Sequence, residues 1–184
     1  GHPDYYQDIA HRLAADLTGA VYMNQFSNPS NPKAHATTTG PALFEQLGGD
    51  IDAVVVGVGS GGTLTGLGRY FKKVSPKTEM VLADPTGSIL EPLINRNEHV
   101  EPGSWIVEGI GEDFVPDNCD LSLIKKGNAY AVTDRESVHA ARELLSKAGV
   151  LGGSSSGTLL AAALRYCQAQ TEPKRVATFV CDSG

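Results

Sequence analysis

The chain has 184 residues, 41 % of them hydrophobic, which suffices for one ordinary domain with a core of its own. A formal net charge of −6 gives no broad attraction to nucleic acid or to an anionic membrane surface. No apolar run approaches the roughly 18 residues that a membrane span requires.

The opening GHPDYYQDIAHRL has no basic segment leading into an apolar one, so no signal peptide is read and a cytoplasmic location is expected. Ile9, Leu13 and Leu17 recur every four residues and predict a helix stopped at Thr18-Gly19. AVYM (20–23) then reads as a short strand, followed by the turn-rich loop NQFSNPSNP. PALFEQLG predicts a helix with a glycine stop, and DAVVVGV has the continuous β-branched character of a parallel strand covered on both faces. TLTGLGRYFKKV reads as helix and EMVLAD as the next strand. From Pro85 to Gly127 periodicity is weak, which predicts loops with one or two short elements. YAVT and ESVHAARELLSKAG predict a strand and a helix, with Thr133 and Glu136 at capping-box spacing. An apolar helix, TLLAAALRYCQAQ, and a strand, RVATFVC, follow the loop VLGGSSSG. Helices between buried strands imply an α/β protein with a mostly parallel sheet. Three widely spaced cysteines, Cys119, Cys167 and Cys181, form no CxxC pair and are read as buried, reduced thiols; no metal site is expected.

In such sheets ligands sit where strands pass into helices, and VVVGVGSGGTLTGLGRY (54–70) occupies such a place. Gly57, Gly59, Gly61 and Gly62 let backbone N–H groups approach an anion, and the following helix adds its positive end. No GKS or GKT is present, which argues against a nucleoside-triphosphate P-loop. Gly57-x-Gly59-x-x-Gly62 does match the dinucleotide fingerprint, and Asp84 follows about 20 residues on, where a ribose-binding carboxylate would lie. Against that reading, Ser60 and Thr63 put hydroxyls in the turn, suiting a compact terminal phosphate, and GGSSSG supplies a second polar cup before a helix. Gly153–Gly157 also satisfies GxSxG, yet a hydrolase elbow needs a strand before it and a histidine after it. A helix is predicted there instead, and His139 is the last of the five histidines, so hydrolase chemistry is rejected.

With these loops in hand, the chain resembles the fold-type II pyridoxal-phosphate enzymes, in particular cystathionine β-synthase and cysteine synthase. The matching segments are NQFSNPSNPKAHATTTGP, GVGSGGTLTG, ADPTGSIL, VEGIGEDFVP, AGVLGGSSSGTLLAAAL and the terminal DSG, in family order. DPTGSIL and EGIGEDF favour the cystathionine β-synthase branch. The resemblance implies a three-layer αβα fold like the large-domain portion of tryptophan synthase β. Residues 1–184 would then form one incomplete cofactor-binding domain, with 1–24 the tail of a smaller one. It also implies that Gly59, Ser60, Gly61, Gly62 and Thr63 bind the phosphate of pyridoxal 5′-phosphate. Ser154 matches the serine that meets the pyridine nitrogen, an assignment good to one position because three serines are adjacent. Gln25 would line the substrate side, Gly109, Ile110 and Gly111 a loop beside the cofactor, and Asp182 and Ser183 a segment near its ring.

The family reaction joins serine, or O-acetylserine, to a thiol, giving cystathionine or cysteine. It needs a lysine that the family carries in an earlier Ser-x-Lys-Asp-Arg-like segment, and no such segment occurs here. Lys33, just after SNPSNP, is the lysine nearest the expected site, but nothing equates it with that anchor. The expectation is therefore a piece of a longer, homodimeric enzyme that is inactive alone and inclined to self-associate, with small amino acids as its substrates. Two departures stand out within the matched region. Glu112 follows EGIG where animal cystathionine β-synthases have tyrosine, and Cys181 precedes Asp182 where proline is common.

Overall fold

A computed structural model describes residues 5–184. Its centre is strand β1 (Ala53–Val56), whose AVVV run is buried at every position. β2 (Glu79–Pro85) pairs with one edge of β1, with Val54 opposite Met80. β3 (Ile124–Val132) pairs with the far side of β2, and β4 (Val176–Ala177) with the other edge of β1. All pairings are parallel, in the order β3-β2-β1-β4.

Alternate residues of β1 serve opposite faces, which is why its apolar run is unbroken. Val54 and Val56 join Leu64, Leu67 and Phe71 of α4 (Gly62–Val74), with Leu90 of α5 (Leu90–Arg96). Ala53 and Val55 join Leu159, Ala162, Ala163 and Tyr166 of α7 (Ser154–Gln168). Helices thus cover both faces, the three-layer αβα arrangement that the sequence implies. Outside α7 packs α6 (Asp134–Ala148), opened by the expected capping box: Glu136 N–H donates to the Thr133 hydroxyl and Thr133 N–H to the Glu136 carboxylate.

Several local expectations change. The first helix, α1 (Tyr6–Asp16), forms as its spacing predicts but buries no residue. Residues 20–23 are not a strand: Val21 and Met23 are 77 % and 68 % exposed, and no neighbouring strand pairs with the segment. RVATFVC pairs only at Val176–Ala177, because the Thr178 hydroxyl donates to the Val55 carbonyl in place of a backbone donor. The helix expected around PALFEQLG begins earlier, at α2 (Ser30–Ala34), passes through a π turn (His35–Thr39) and continues as α3 (Gly40–Gln46). The wide turn has a chemical cause. Pro41 brings no N–H to the ladder, and the Thr37 and Thr38 hydroxyls donate back to the Lys33 and Ala34 carbonyls at 2.9 and 2.7 Å. Cys119 is buried as expected and all three cysteines are free, but Cys167 and Cys181 are exposed. Cys167 lies on α7 away from the sheet-facing Ala163 and Tyr166, and Cys181 lies beyond the last strand pairing.

Helices α6 and α7 pack closely, and a Cβ on Gly157 would lie 1.9 Å from the Ser137 carbonyl oxygen. Gly157→Ala therefore forces backbone apart, at a cost of about 1–3 kcal/mol by overpacking. Urea denaturation measures it; an unchanged midpoint would contradict the packing.

Candidate functional site

The chain runs from β1 outward to β2 and β3, then returns to the opposite edge of β1 as β4. Strand order thus reverses beside β1, the place where parallel α/β sheets open a crevice at the carboxyl ends of their strands. A cavity of about 700 Å³ lies there. One side is the β1 end, Val56 and Gly57, and its loop; the other is Phe179, Val180, Cys181 and Asp182 beyond β4.

The β1–α4 loop contributes Gly59, Ser60, Gly61, Gly62 and Thr63, all at the cavity wall. Gly61 caps α4 at φ +80°, which a side chain would strain, and its missing Cβ also makes room for Cys119. At Gly62 a Cβ would coincide with the Asn31 side chain, 1.9 Å from its Oδ1. That closeness is used: Asn31 Nδ2 donates to the Ser60 hydroxyl and to the Gln25 carbonyl, both at 2.9 Å. The Gln25 carbonyl also accepts from Asn118 Nδ2 at 2.9 Å, so the segment bearing Gln25 is tied to the loop it faces.

A second wall is Gly109 and Ile110. Gly111 lies behind it, its N–H donating to the Val58 carbonyl at 2.8 Å, while Trp105 Nε1 donates to Ile110 O at 3.1 Å. Ser154 does not line the cavity. It accepts from Glu108 N–H at 3.3 Å, and the next serine, Ser155, reaches the wall from the first turn of α7. Asp182 lines the cavity and clamps the start of α7, accepting from Gly153 N–H at 3.0 Å and from the Ser156 hydroxyl at 3.4 Å. Ser183, exposed, is not at the wall.

Sequence reasoning missed His35 and Thr39, which the π turn brings to the cavity. Both lay in the quoted NPKAHATTTGP stretch, but only the early helix start gives them a face. Burial lowers the His35 pKa below its ordinary value. No lysine lines the cavity, Lys33 included, which is exposed on α2.

Asp84 is not available as a ribose partner. It is fully buried away from the cavity, with Oδ2 accepting from Glu91 N–H at 2.8 Å at the start of α5. Its Oδ1 has no hydrogen-bond partner, and burial pushes its pKa up to about 6. Glu112 is half-buried nearby and rises to about 7, first through desolvation and then through Asp113 and Asp84.

Residues 1–182 match the family of pyridoxal-phosphate dependent enzymes. The chain belongs to that family. It is 38 % identical over 180 residues to cystathionine beta-synthase of Apis mellifera, covering 98 % of this chain and 35 % of that protein. Cysteine synthase A of Escherichia coli (strain K12) is 42 % identical over 155 residues, covering 83 % of this chain and 47 % of the relative. Cystathionine beta-synthase of Saccharomyces cerevisiae (strain ATCC 204508 / S288c) is 39 % identical over 175 residues, covering 92 % and 34 %. The chain spans about half the length, or less, of these relatives.

The cavity fits the family's cofactor. The first turns of α4 and α7 reach its wall with the hydroxyl residues Ser60, Thr63 and Ser155, a set whose chemistry suits a phosphate and a neutral polar ring atom. Val56, Leu159 and Phe179 give an apolar side for a flat ring, and the volume is that of a small-molecule site.

The carboxyl groups set a pH dependence. Asp84 and Glu112 have raised folded-state pKa values, so their stabilising contribution is complete below the ordinary carboxylate range and is lost as pH rises through about 6 and about 7. Glu112→Gln should flatten the upper part of this decline in denaturation curves recorded from about pH 5 to about 7.5. An unchanged slope in the variant would rule Glu112 out as the titrating group.

Proposed function

We propose that this chain forms the phosphate and ring-nitrogen side of a pyridoxal-phosphate site for β-replacement on serine or O-acetylserine with a thiol, yielding cystathionine or cysteine. The observation that supports it best is the strand reversal at β1, where two glycine–serine cups on separate loops meet in one cavity. The cofactor, when bound, supplies the electron sink for reaction at the amino acid's α-carbon.

The residues divide the remaining work. Backbone N–H groups of Gly59 to Thr63, with the Ser60 and Thr63 hydroxyls, hold the phosphate against the positive end of α4. Ser155, one position on from Ser154 and at the cavity wall, would meet the ring nitrogen; Ser154 instead holds the loop bearing Glu108. A serine hydroxyl is neutral and does not hold the ring nitrogen protonated as a carboxylate does, which favours β-elimination and replacement over transamination. Gln25, Gly109 and Ile110 shape the amino-acid side, while Gly111 and Asp182 brace the walls. Glu112, where animal cystathionine β-synthases have tyrosine, puts a carboxyl beside the Gly59 turn and bears on which thiol is accepted.

The Schiff-base lysine is not among this chain's residues in this reading, consistent with the lysine-free cavity wall. Residues 1–24 are assigned to a smaller domain, of which 1–4 lie outside the described residues; the unburied α1 supports this. In the whole protein the partners are small amino acids, the assembly a homodimer and the location cytoplasmic. Among the described residues no helix is long and apolar enough to cross a membrane. The dinucleotide alternative is disfavoured by the burial of Asp84.

The test is to reduce the chain with borohydride in the presence of pyridoxal phosphate and map the products by mass spectrometry. Saturable binding is expected without stoichiometric labelling of any one lysine, and NAD should not bind. Gly62→Val should weaken phosphate-dependent binding at least about ten-fold, because its side chain displaces Asn31 from the loop. One lysine labelled to completion would overturn the missing-anchor assignment, and saturable NAD binding would overturn the cofactor.

A further inference from the structure

Thr63 is the last residue of the phosphate loop and the second of α4, and its hydroxyl has a partner behind it. His35 Nε2 lies 3.3 Å from Thr63 Oγ1, and His35 Nδ1 lies 3.0 Å from Thr39 Oγ1. The three side chains form a short relay that ends at the cavity, and both His35 and Thr39 belong to the π turn. The π turn is seated close on α4 here: a Cβ added at Gly66 would stand 2.5 Å from His35 Cβ.

Hydrogen-bond polarity along this relay has only two self-consistent forms for a neutral imidazole, which carries one N–H and one bare nitrogen. In the first, Nδ1–H donates to Thr39 and the Thr63 hydroxyl donates to Nε2. Thr63 then presents lone pairs to the cavity and repels an anion. In the second, the Thr39 hydroxyl donates to Nδ1 and Nε2–H donates to Thr63 Oγ1. The single Thr63 proton is then free for the cavity. Partial burial lowers the ring's pKa and so favours the neutral imidazole, which takes one form or the other.

We propose that His35 is a positioning residue that, as the Nε2–H tautomer braced by Thr39, turns the Thr63 hydroxyl into a donor for the cofactor phosphate. This rests on the cofactor reading above and adds to it a residue that touches the loop rather than the phosphate. It also gives the π turn a purpose: the wider turn sets His35 and Thr39 together against the mouth of α4.

Two measurements test it. The first is the ring-nitrogen NMR spectrum of His35 in the unmutated chain with saturating 4′-deoxypyridoxine 5′-phosphate, a probe unable to label lysine. The Nε2–H tautomer is expected; the Nδ1–H tautomer or an imidazolium would overturn the proposal whether or not any variant folds. The second is the affinity of the same probe for His35→Leu, His35→Gln and Thr63→Val. His35→Leu should lose about ten-fold, the scale of a hydrogen bond to a charged group. His35→Gln, which keeps an N–H within reach of Thr63, should recover most of that loss. On the Thr63→Val background His35→Leu should add less than about two-fold. Equal losses in the Leu and Gln variants, or full additivity with Thr63→Val, would reduce His35 to packing and overturn the role. Unmutated chain that fails to bind the probe would overturn the cofactor reading and this inference together, whereas normal binding by His35→Leu overturns the inference alone.

Discussion

Parallel pairing on both edges of β1 is the constraint from which the site follows. Because β2 takes one edge of β1 and β4 the other, strand order reverses at β1, with α4 packed on one face of the sheet and α7 on the other. The cavity lies between them, at the carboxyl ends of the strands. α4 starts from the loop leaving β1, and the start of α7 is held beside the segment leaving β4 by the Gly153 N–H that donates to Asp182, so both helix N-termini reach the cavity. Neither cup alone would make a cofactor site, since each would be an ordinary glycine-capped helix start.

The second layer of the design is how the loops are held still without covering them. Asn31 occupies the volume that a Gly62 side chain would take and bonds Ser60 and the Gln25 carbonyl from there. Gly59 lets the Gly109 carbonyl come within 2.6 Å of where its own Cβ would be, which seats the 109–111 loop against the phosphate turn. These glycines thus serve close approach between protein segments, a use separate from any anion. Glycine-rich spacing alone does not distinguish those uses.

That ambiguity explains which parts of the site were legible. The Gly59–Thr63 cup was legible because a strand-to-helix glycine turn carries a strong local signal, whereas Gly109 and Ile110 came only with the family resemblance; all of them line the cavity. Asp84 had the spacing of a ribose partner, but burial and the α5 N–H group it accepts from are tertiary facts. Ser154 and Ser155 are indistinguishable by composition; the helical rotation of about 100° between neighbours decides which one faces the cavity. His35 was assigned no role, since its place at the cavity depends on an unusual turn and on a contact with Thr63, 28 positions away.

What the sequence by itself determined was the alternation of buried β-branched runs with amphipathic helices, the two cups, the family, and the lack of a motif-matched lysine. Those are local or nearest-neighbour properties, written in periodicity and in short motifs. Only the tertiary structure decided that residues 20–23 lie outside the sheet, that Asp84 is sealed in the core, and that His35, Thr39 and Thr63 stand in line. The physical reason is that exposure, pairing and hydrogen-bond direction belong to contacts between distant segments, which a local pattern of residue types does not specify.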